Sequence, residues 1–231
     1  MSLTTLITGA NRGIGLALTH ACLRRDDQVI ACCRTPYQAQ QLHKLAEIYP
    51  KLAIHQLDVT EPEEYLQLKE ALAGTPIDWL IANAGLYGPP EQALGQTDYY
   101  AWQQVMAVNA MAPLRLVETF LSNLEAGDAK RIAVISSVMG SISENHQGGH
   151  YLYRSSKAAL NAVLRSLALD LANKGIQAYA MHPGWVKTDM GGEAAPLDVE
   201  DAASTLLLTL ERLDAASSGK FISYDGQQLP W

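Results

Sequence analysis

Seven short apolar runs are spaced along the chain, and longer stretches of helical period fill the gaps between them. The runs are LTTLIT (3–8), QVIACC (28–33), LAIHQLD (52–58), IDWLIA (77–82), RIAVIS (131–136), IQAYAM (176–181) and KFISY (220–224). Several are almost continuously apolar, as strands covered on both faces are. The helical stretches fall near 14–25, 36–48, 61–73, 98–124, 153–174 and 198–212. Local punctuation agrees with these limits. In DVTEPEEYLQL, Thr60 is placed to cap a helix, with Pro62 in the first turn and Glu63 three residues after the cap. Gly175 follows LANK as a helix terminator. Pro113 lies inside the long 98–124 pattern and predicts a kink or break there.

Repeated β–α–β units demand parallel strands joined by right-handed crossovers. The expectation is therefore an α/β fold, a doubly wound Rossmann-type three-layer sandwich around a seven-stranded parallel sheet. One domain over 1–231 accounts for the whole pattern, with no linker or low-complexity segment.

Composition narrows the function classes. Hydrophobic residues make up 48% and charged residues 18%, an ordinary globular balance. A net charge of −7 argues against a nucleic-acid surface, which needs a basic face. No apolar run reaches the ~18 residues of a membrane span. The stretch MSLTTLITG runs straight into the first predicted strand without the basic start of a signal peptide. Cys22, Cys32 and Cys33 form no disulfide framework. A reducing cytoplasm is the expected location. His146 and His150 sit in glycine-rich HQGGH, which does not align them on a helix, so no metal is expected.

The first glycine turn points to a phosphate. TGANRGIG (8–15) follows the first strand and opens the first helix. Gly9, Gly13 and Gly15 permit tight turning and close backbone approach, and helix-start N–H groups favour an anion. The spacing is G-x-x-x-G-x-G, not the commoner G-x-G-x-x-G. A dinucleotide with free ribose hydroxyls is usually held by an acidic residue after the second strand. Here Cys33 and Arg34 stand there, and Arg12 lies in the glycine turn. Two guanidinium groups and no carboxylate suit a 2′-phosphate, favouring NADP(H) over NAD(H). The alternative is that both arginines are solvated loop residues.

GGHYLYRSSKAALN (148–161) holds two tyrosines before one lysine. At ~100° per residue, Tyr153 shares a helical face with Lys157, four positions on. Tyr151 is six positions away and lies about 120° round the axis. A nearby ammonium favours phenolate and brings a phenol toward working pH, so Tyr153 is the candidate acid/base.

TGANRGIG, then NAG (83–85), then YRSSK resembles the ordered motif set of the short-chain dehydrogenase/reductase family, over residues 3 to about 224. The resemblance implies an oxidoreductase moving hydride between a nicotinamide and an aldehyde or ketone. It implies Tyr153 as acid/base and Lys157 as ribose ligand and pKa modulator. Ser137 would bond the substrate oxygen, and Asn109 would hold a water relaying protons to the lysine. The cofactor would touch Gly9, Asn11, Arg12, Gly13, Ile14, Gly15, Arg34, Asp58, Val59, Asn83, Ala84, Gly85, Tyr153, Lys157, Pro183, Gly184, Val186 and Thr188. Asp58 would meet the adenine amino group, and Val186 and Thr188 the carboxamide or phosphates. Alternatives stay open. Ser136, or Ser141 and Ser143, could replace Ser137, and Asn109 could only kink its helix. Asp58 could be a turn former and Thr188 a short-helix cap.

Ser137 precedes Tyr153 by sixteen positions, more than is common in the family. This spacing and YRSSKAALN resemble the sniffer-type carbonyl reductases and C-factor proteins, which leaves a signalling role with little catalysis as the alternative function. Arg154 has no chemical step and is expected in a surface or interface ion pair. The 86–98 and 139–150 loops, with Tyr87, Trp102, Trp185 and Met190, are expected to wall the pocket for a small carbonyl or alcohol. The 98–124 and 153–174 helices resemble the family's dimer-forming pair, implying a homodimer or homotetramer.

Overall fold

The computed structural model describes residues 2–231. The strands are β1 (Thr4–Thr8), β2 (Gln28–Cys33), β3 (Leu52–Gln56), β4 (Trp79–Ala82), β5 (Arg131–Ile135), β6 (Gln177–His182), β7 (Phe221–Ser223) and β8 (Gln228–Leu229). They form one sheet in the order β3-β2-β1-β4-β5-β6-β7-β8. The first seven pair in parallel, as expected, and β8 adds an antiparallel edge. The sheet therefore has eight strands and not seven. Asp225-Gly226 make the turn that folds β8 back, a short-hairpin signal hidden behind the last apolar run.

The helices are α1 (Gly13–Arg24), α2 (Gln40–Ile48), α3 (Pro62–Ala71), α4 (Tyr99–Met106), α5 (Ala112–Thr119), α6 (Leu121–Ala126), α7 (Tyr151–Asp170) and α8 (Val199–Arg212). Strand alternation divides the core between the two sheet faces. Leu6, Leu80, Ile132, Val134 and Ala180 pack with Leu116 of α5, Phe120 just after it, and Leu160 and Leu164 of α7. Their neighbours Ile7, Ile81, Ala133, Tyr179 and Met181 pack with Leu18, Leu206 and Leu210 from α1 and α8. β1 lies between β2 and β4, so the crossovers reverse direction there, and the cleft opens at the carboxyl ends of β1 and β4.

Two local expectations change, and the break expected at Pro113 is present. Glu61, not Thr60, precedes α3, and Thr60 instead turns back to bond the Asp58 carboxylate. α7 starts at Tyr151, two residues early. The 98–124 stretch breaks before Pro113, in a π-helical turn over Ala107–Met111. Proline has no N–H for the carbonyl four residues back, that of Asn109, and the ladder slips. Ala112 N–H bonds the Ala107 carbonyl, five residues back. Gly175 ends the helical region in the left-handed conformation, as expected.

Candidate active site

At the glycine end, two strand termini are laced together. Thr8 Oγ1 accepts from the N–H groups of Asn83 at 3.1 Å and Ala84 at 3.2 Å. Asn83 Nδ2 donates to the carbonyls of Thr8 at 3.0 Å and Gly9 at 3.2 Å. Gly9 has φ +66°, and a Cβ there would stand 3.0 Å from Ala84 Cα. A Cβ on Gly15 would stand 2.2 Å from the Gly9 carbonyl oxygen, so only glycine lets α1 start this close to the loop. Arg12 caps α1 without a side-chain hydrogen bond, leaving the first-turn N–H groups to an anion.

The cleft holds about 890 Å³. Its wall at the end of β2 is Cys33, Arg34 and Thr35, with no carboxylate. Arg12 reaches across the mouth to Asp189, Nη1 to Oδ2 at 2.8 Å, so this guanidinium already has an exposed partner. Burial pushes the Cys33 thiol pKa up. Asp58 lines the wall while Oδ1 accepts from the N–H of Thr60 at 2.9 Å and its Oγ1 at 2.7 Å, which is the turn-forming role. Thr188 lines the wall while its Oγ1 accepts from Gly191 N–H at 3.1 Å, closing a turn and not capping a helix, and its methyl faces Gly13.

Ser137, Tyr153 and Lys157 meet at the other end of the cleft. Ser136 also lines the cleft, but its hydroxyl is taken, donating to Asn161 Oδ1 at 2.6 Å in the core. That leaves Ser137 as the serine free to face the cleft, its Oγ accepting from Met139 N–H at 3.1 Å. Ser141 and Ser143 bond each other at 3.3 Å and do not line the cleft. Lys157 is buried and donates from Nζ to the Ile135 carbonyl at 2.7 Å. Its Nζ lies 5.7 Å from the centre of the Tyr153 ring. Burial lowers its pKa to about 8. Burial also raises the Tyr153 phenol to about 12, with the hydrogen bond to Ser137 pulling the other way. Desolvation sets the direction and Lys157 is not among the groups that shift this phenol, so the lowering expected from the lysine is not seen.

Asn109 is fully buried and does not reach the cleft wall. Oδ1 accepts from Leu86 N–H at 2.8 Å, and Nδ2 donates to the Leu86 carbonyl at 2.7 Å and Ser156 Oγ at 2.9 Å. Its side chain clamps the chain after NAG. Gly15 also stays behind the wall; every other expected cofactor residue lines it. Among the described residues, no group of three or more His, Cys, Asp or Glu could hold a metal ion. No helix there is long and apolar enough to cross a membrane.

Tyr87, Trp185 and Met190 line the cleft as expected, and Trp102 does not. Trp102 Nε1 donates to Ser155 Oγ at 2.9 Å, joining α4 to α7. From the 139–150 loop only Met139 reaches the wall. Arg154 makes no ion pair among the described residues; Nη1 points to the Met139 carbonyl at 3.5 Å. Sequence reasoning missed Thr8 and His182. His182 Nδ1 accepts from Val138 N–H at 3.4 Å, beside Ser137, and burial lowers its pKa to about 4. HPG after the sixth strand was its only signal.

Comparison with known proteins bears on the fold and the family. The short chain dehydrogenase family model matches residues 3–197. C-signal from Myxococcus xanthus is 42% identical over 156 residues, covering 68% of this chain and 93% of that protein. The carbonyl reductase Sniffer of D. melanogaster superposes with a TM-score of 0.94 at 33% identity, covering both chains completely. NADPH-bound carbonyl reductase from chicken fatty liver superposes at 0.92 with 34% identity, covering 100% of this chain and 99% of that one.

Proposed function

Since the chain belongs to the short-chain dehydrogenase family, we propose that it is an NADP(H)-dependent carbonyl reductase, reversible to an alcohol dehydrogenase. The observation that carries this reading is the meeting of Ser137, Tyr153 and Lys157 at one end of the cleft. The opposite end fits a dinucleotide phosphate: Gly9 and Gly15 make a cradle that a Cβ would fill. Arg34 and Arg12 without a carboxylate at the β2 end support the 2′-phosphate, and the NADPH-bound carbonyl reductase it resembles supports NADP(H) over NAD(H).

Bound NADPH supplies the hydride to the carbonyl carbon. The chain's part is to hold the carbonyl oxygen and deliver a proton to it. Ser137 Oγ–H and Tyr153 Oη–H converge as donors to that oxygen, strengthening as negative charge develops. Tyr153 then releases its proton to the oxygen. A phenol raised to about 12 is protonated at neutral pH, the form that reduction requires. Lys157, cationic below about 8, stabilises the phenolate left behind and holds the ribose.

Tyr153→Phe is the test. NADPH should bind, by fluorescence titration, as to the unaltered protein, while NADPH oxidation with a panel of aldehydes, ketones and quinones falls about 10²–10⁴-fold. Retained turnover removes the acid/base assignment. The likeness to C-signal favours a second reading, a nucleotide-binding signalling protein with little catalysis. No NADPH oxidation by the unaltered protein across the panel, with NADPH bound, would select it. A homodimer or homotetramer belongs to the first reading, supported by exposed Tyr99, Tyr100, Met111 and Leu169 on the α4–α7 side. A monomeric mass by light scattering would remove it.

A further inference from the structure

The catalytic helix lacks its own cap. His150 precedes α7 in the left-handed conformation, φ 49°, and makes no side-chain capping bond. Its imidazole is engaged elsewhere, with Nδ1 2.8 Å from the Tyr87 hydroxyl. Helix starts need an acceptor for the N–H groups at their second and third positions. In α7 those positions are Leu152 and Tyr153.

Gln92, sixty residues earlier, supplies that acceptor. Its Oε1 accepts from Leu152 N–H at 3.1 Å and Tyr153 N–H at 3.2 Å. Its Nε2 donates to the carbonyls of Tyr87 at 2.9 Å and Pro89 at 3.0 Å. Gln92 is 3% exposed, so its amide is shielded and four bonds are made by one side chain. Two of the four residues it bonds, Tyr153 and Tyr87, carry the two rings at the reacting end. Tyr87 lines the cleft, and its ring centre is 4.7 Å from that of Tyr153.

We propose that Gln92 is a positioning residue for carbonyl reduction, a remote cap that sets the Tyr153 phenol and the Tyr87 wall at a fixed separation. The inference rests on the reading of Tyr153 as acid/base. Through Oε1 it orients the proton donor, an effect on kcat. Through Nε2 it holds the wall against which the carbonyl compound lies, an effect on KM. Neither contact touches the phosphate cradle, so nucleotide affinity is left alone.

The test separates the two halves of the amide. Gln92→Leu removes both; Gln92→Glu keeps an acceptor for the helix amides and loses the donors to Tyr87 and Pro89. Hydrogen exchange is followed in the peptide carrying Leu152 and Tyr153, and steady-state constants are measured with NADPH and an aldehyde. In Gln92→Leu, exchange of the two amides should accelerate, kcat fall about 10- to 100-fold and NADPH affinity stay unchanged. In Gln92→Glu, the amides should stay protected, with KM for the aldehyde rising more than kcat falls. Unchanged exchange in Gln92→Leu overturns the proposal, as does an equal fall of kcat in both variants with KM unmoved. If Gln92→Leu does not fold, Gln92→Glu decides alone: protected amides with raised KM support the proposal, and unprotected amides or an unmoved KM overturn it. Exchange is read without turnover, so an active Tyr153→Phe would sink the acid/base reading and leave the capping contact standing.

Discussion

The two ends of the cleft are built by different means. At the glycine end the tightest approaches involve backbone: Gly15 against the Gly9 carbonyl, and Gly9 against Ala84. At the α7 end they run through buried polar side chains: Lys157 on Ile135, Asn109 on Leu86, Gln92 on Tyr153 and Tyr87. The first end specifies a shape and leaves charge at its exposed rim. The second specifies protonation states, because desolvation shifts Tyr153 and Lys157 in opposite directions. A methyl group should therefore break the first end, and loss of a charge the second.

Lys157→Met should give the largest effect on turnover, a fall of about 10²–10⁴-fold in kcat/KM for carbonyl reduction. The same change should stabilise the fold at neutral pH. Lysine in an unfolded chain keeps its proton to about pH 10.4, whereas buried Lys157 gives it up near 8. Between those values the unfolded chain binds more protons, so stability rises with pH; below 8 the full cost of burying the ammonium is present. That cost is about 3 kcal/mol from the shift. Losing the bond to the Ile135 carbonyl offsets about 1–2 kcal/mol of it. Thermal unfolding should thus place the Met variant a few degrees higher at pH 7, with the gap closing toward pH 10. A less stable variant at pH 7, or a gap that widens with pH, would contradict the buried-charge account.

Gly15→Ala should act at the other end. Its Cβ would meet a carbonyl oxygen at 2.2 Å and Asn83 Nδ2 at 2.5 Å, and the carbonyl belongs to the loop proposed to hold the phosphate. Overpacking of this kind costs about 1–3 kcal/mol, which as lost affinity is about 5- to 150-fold in NADPH Kd. With saturating NADPH, kcat should change little, since α7 and its partners are untouched. A variant with unaltered Kd and depressed kcat would reverse the division between the two ends.

Those ends also differed in legibility. Glycine turns act within a few residues of sequence, so TGANRGIG announced a close backbone approach without any partner being known. Helical phase likewise separated Tyr153 from Tyr151, although Tyr151 begins the helix. The alternation that placed the strands is equally local, and it missed β8 because two residues after a turn carry almost no periodicity. Side-chain partners at long range were invisible. Gln92 lies in an unpatterned loop and gains its role only when the fold brings it beside α7; Thr8 does so beside Asn83. Asn109 was found by resemblance, yet its amide clamps Leu86, and Trp102 took a place between helices instead of at the wall. Burial was the other hidden quantity: it depends on the whole packing and reversed the expected direction of the Tyr153 shift.

The smallest effect should come from the rim, where the comparison is least settled by shape. Arg12 and Asp189 pair at 2.8 Å with side-chain exposures of 61% and 80%. Exposed pairs of this kind contribute little to stability, so Asp189→Asn should leave the melting temperature unchanged within error. Its effect should fall on cofactor choice. Removing the carboxylate releases the Arg12 guanidinium and makes the rim more positive, which favours a 2′-phosphate over a hydroxyl. NADPH should bind about 2- to 5-fold more tightly at low salt while NADH changes little, and the difference should shrink as added salt screens the rim. If the pair instead acts as a clasp over the nucleotide, Asp189→Asn would weaken NADPH and NADH equally. Fluorescence titration of both at two ionic strengths separates these outcomes: a ratio that moves assigns Arg12 to the phosphate, and a ratio that stays assigns it to Asp189.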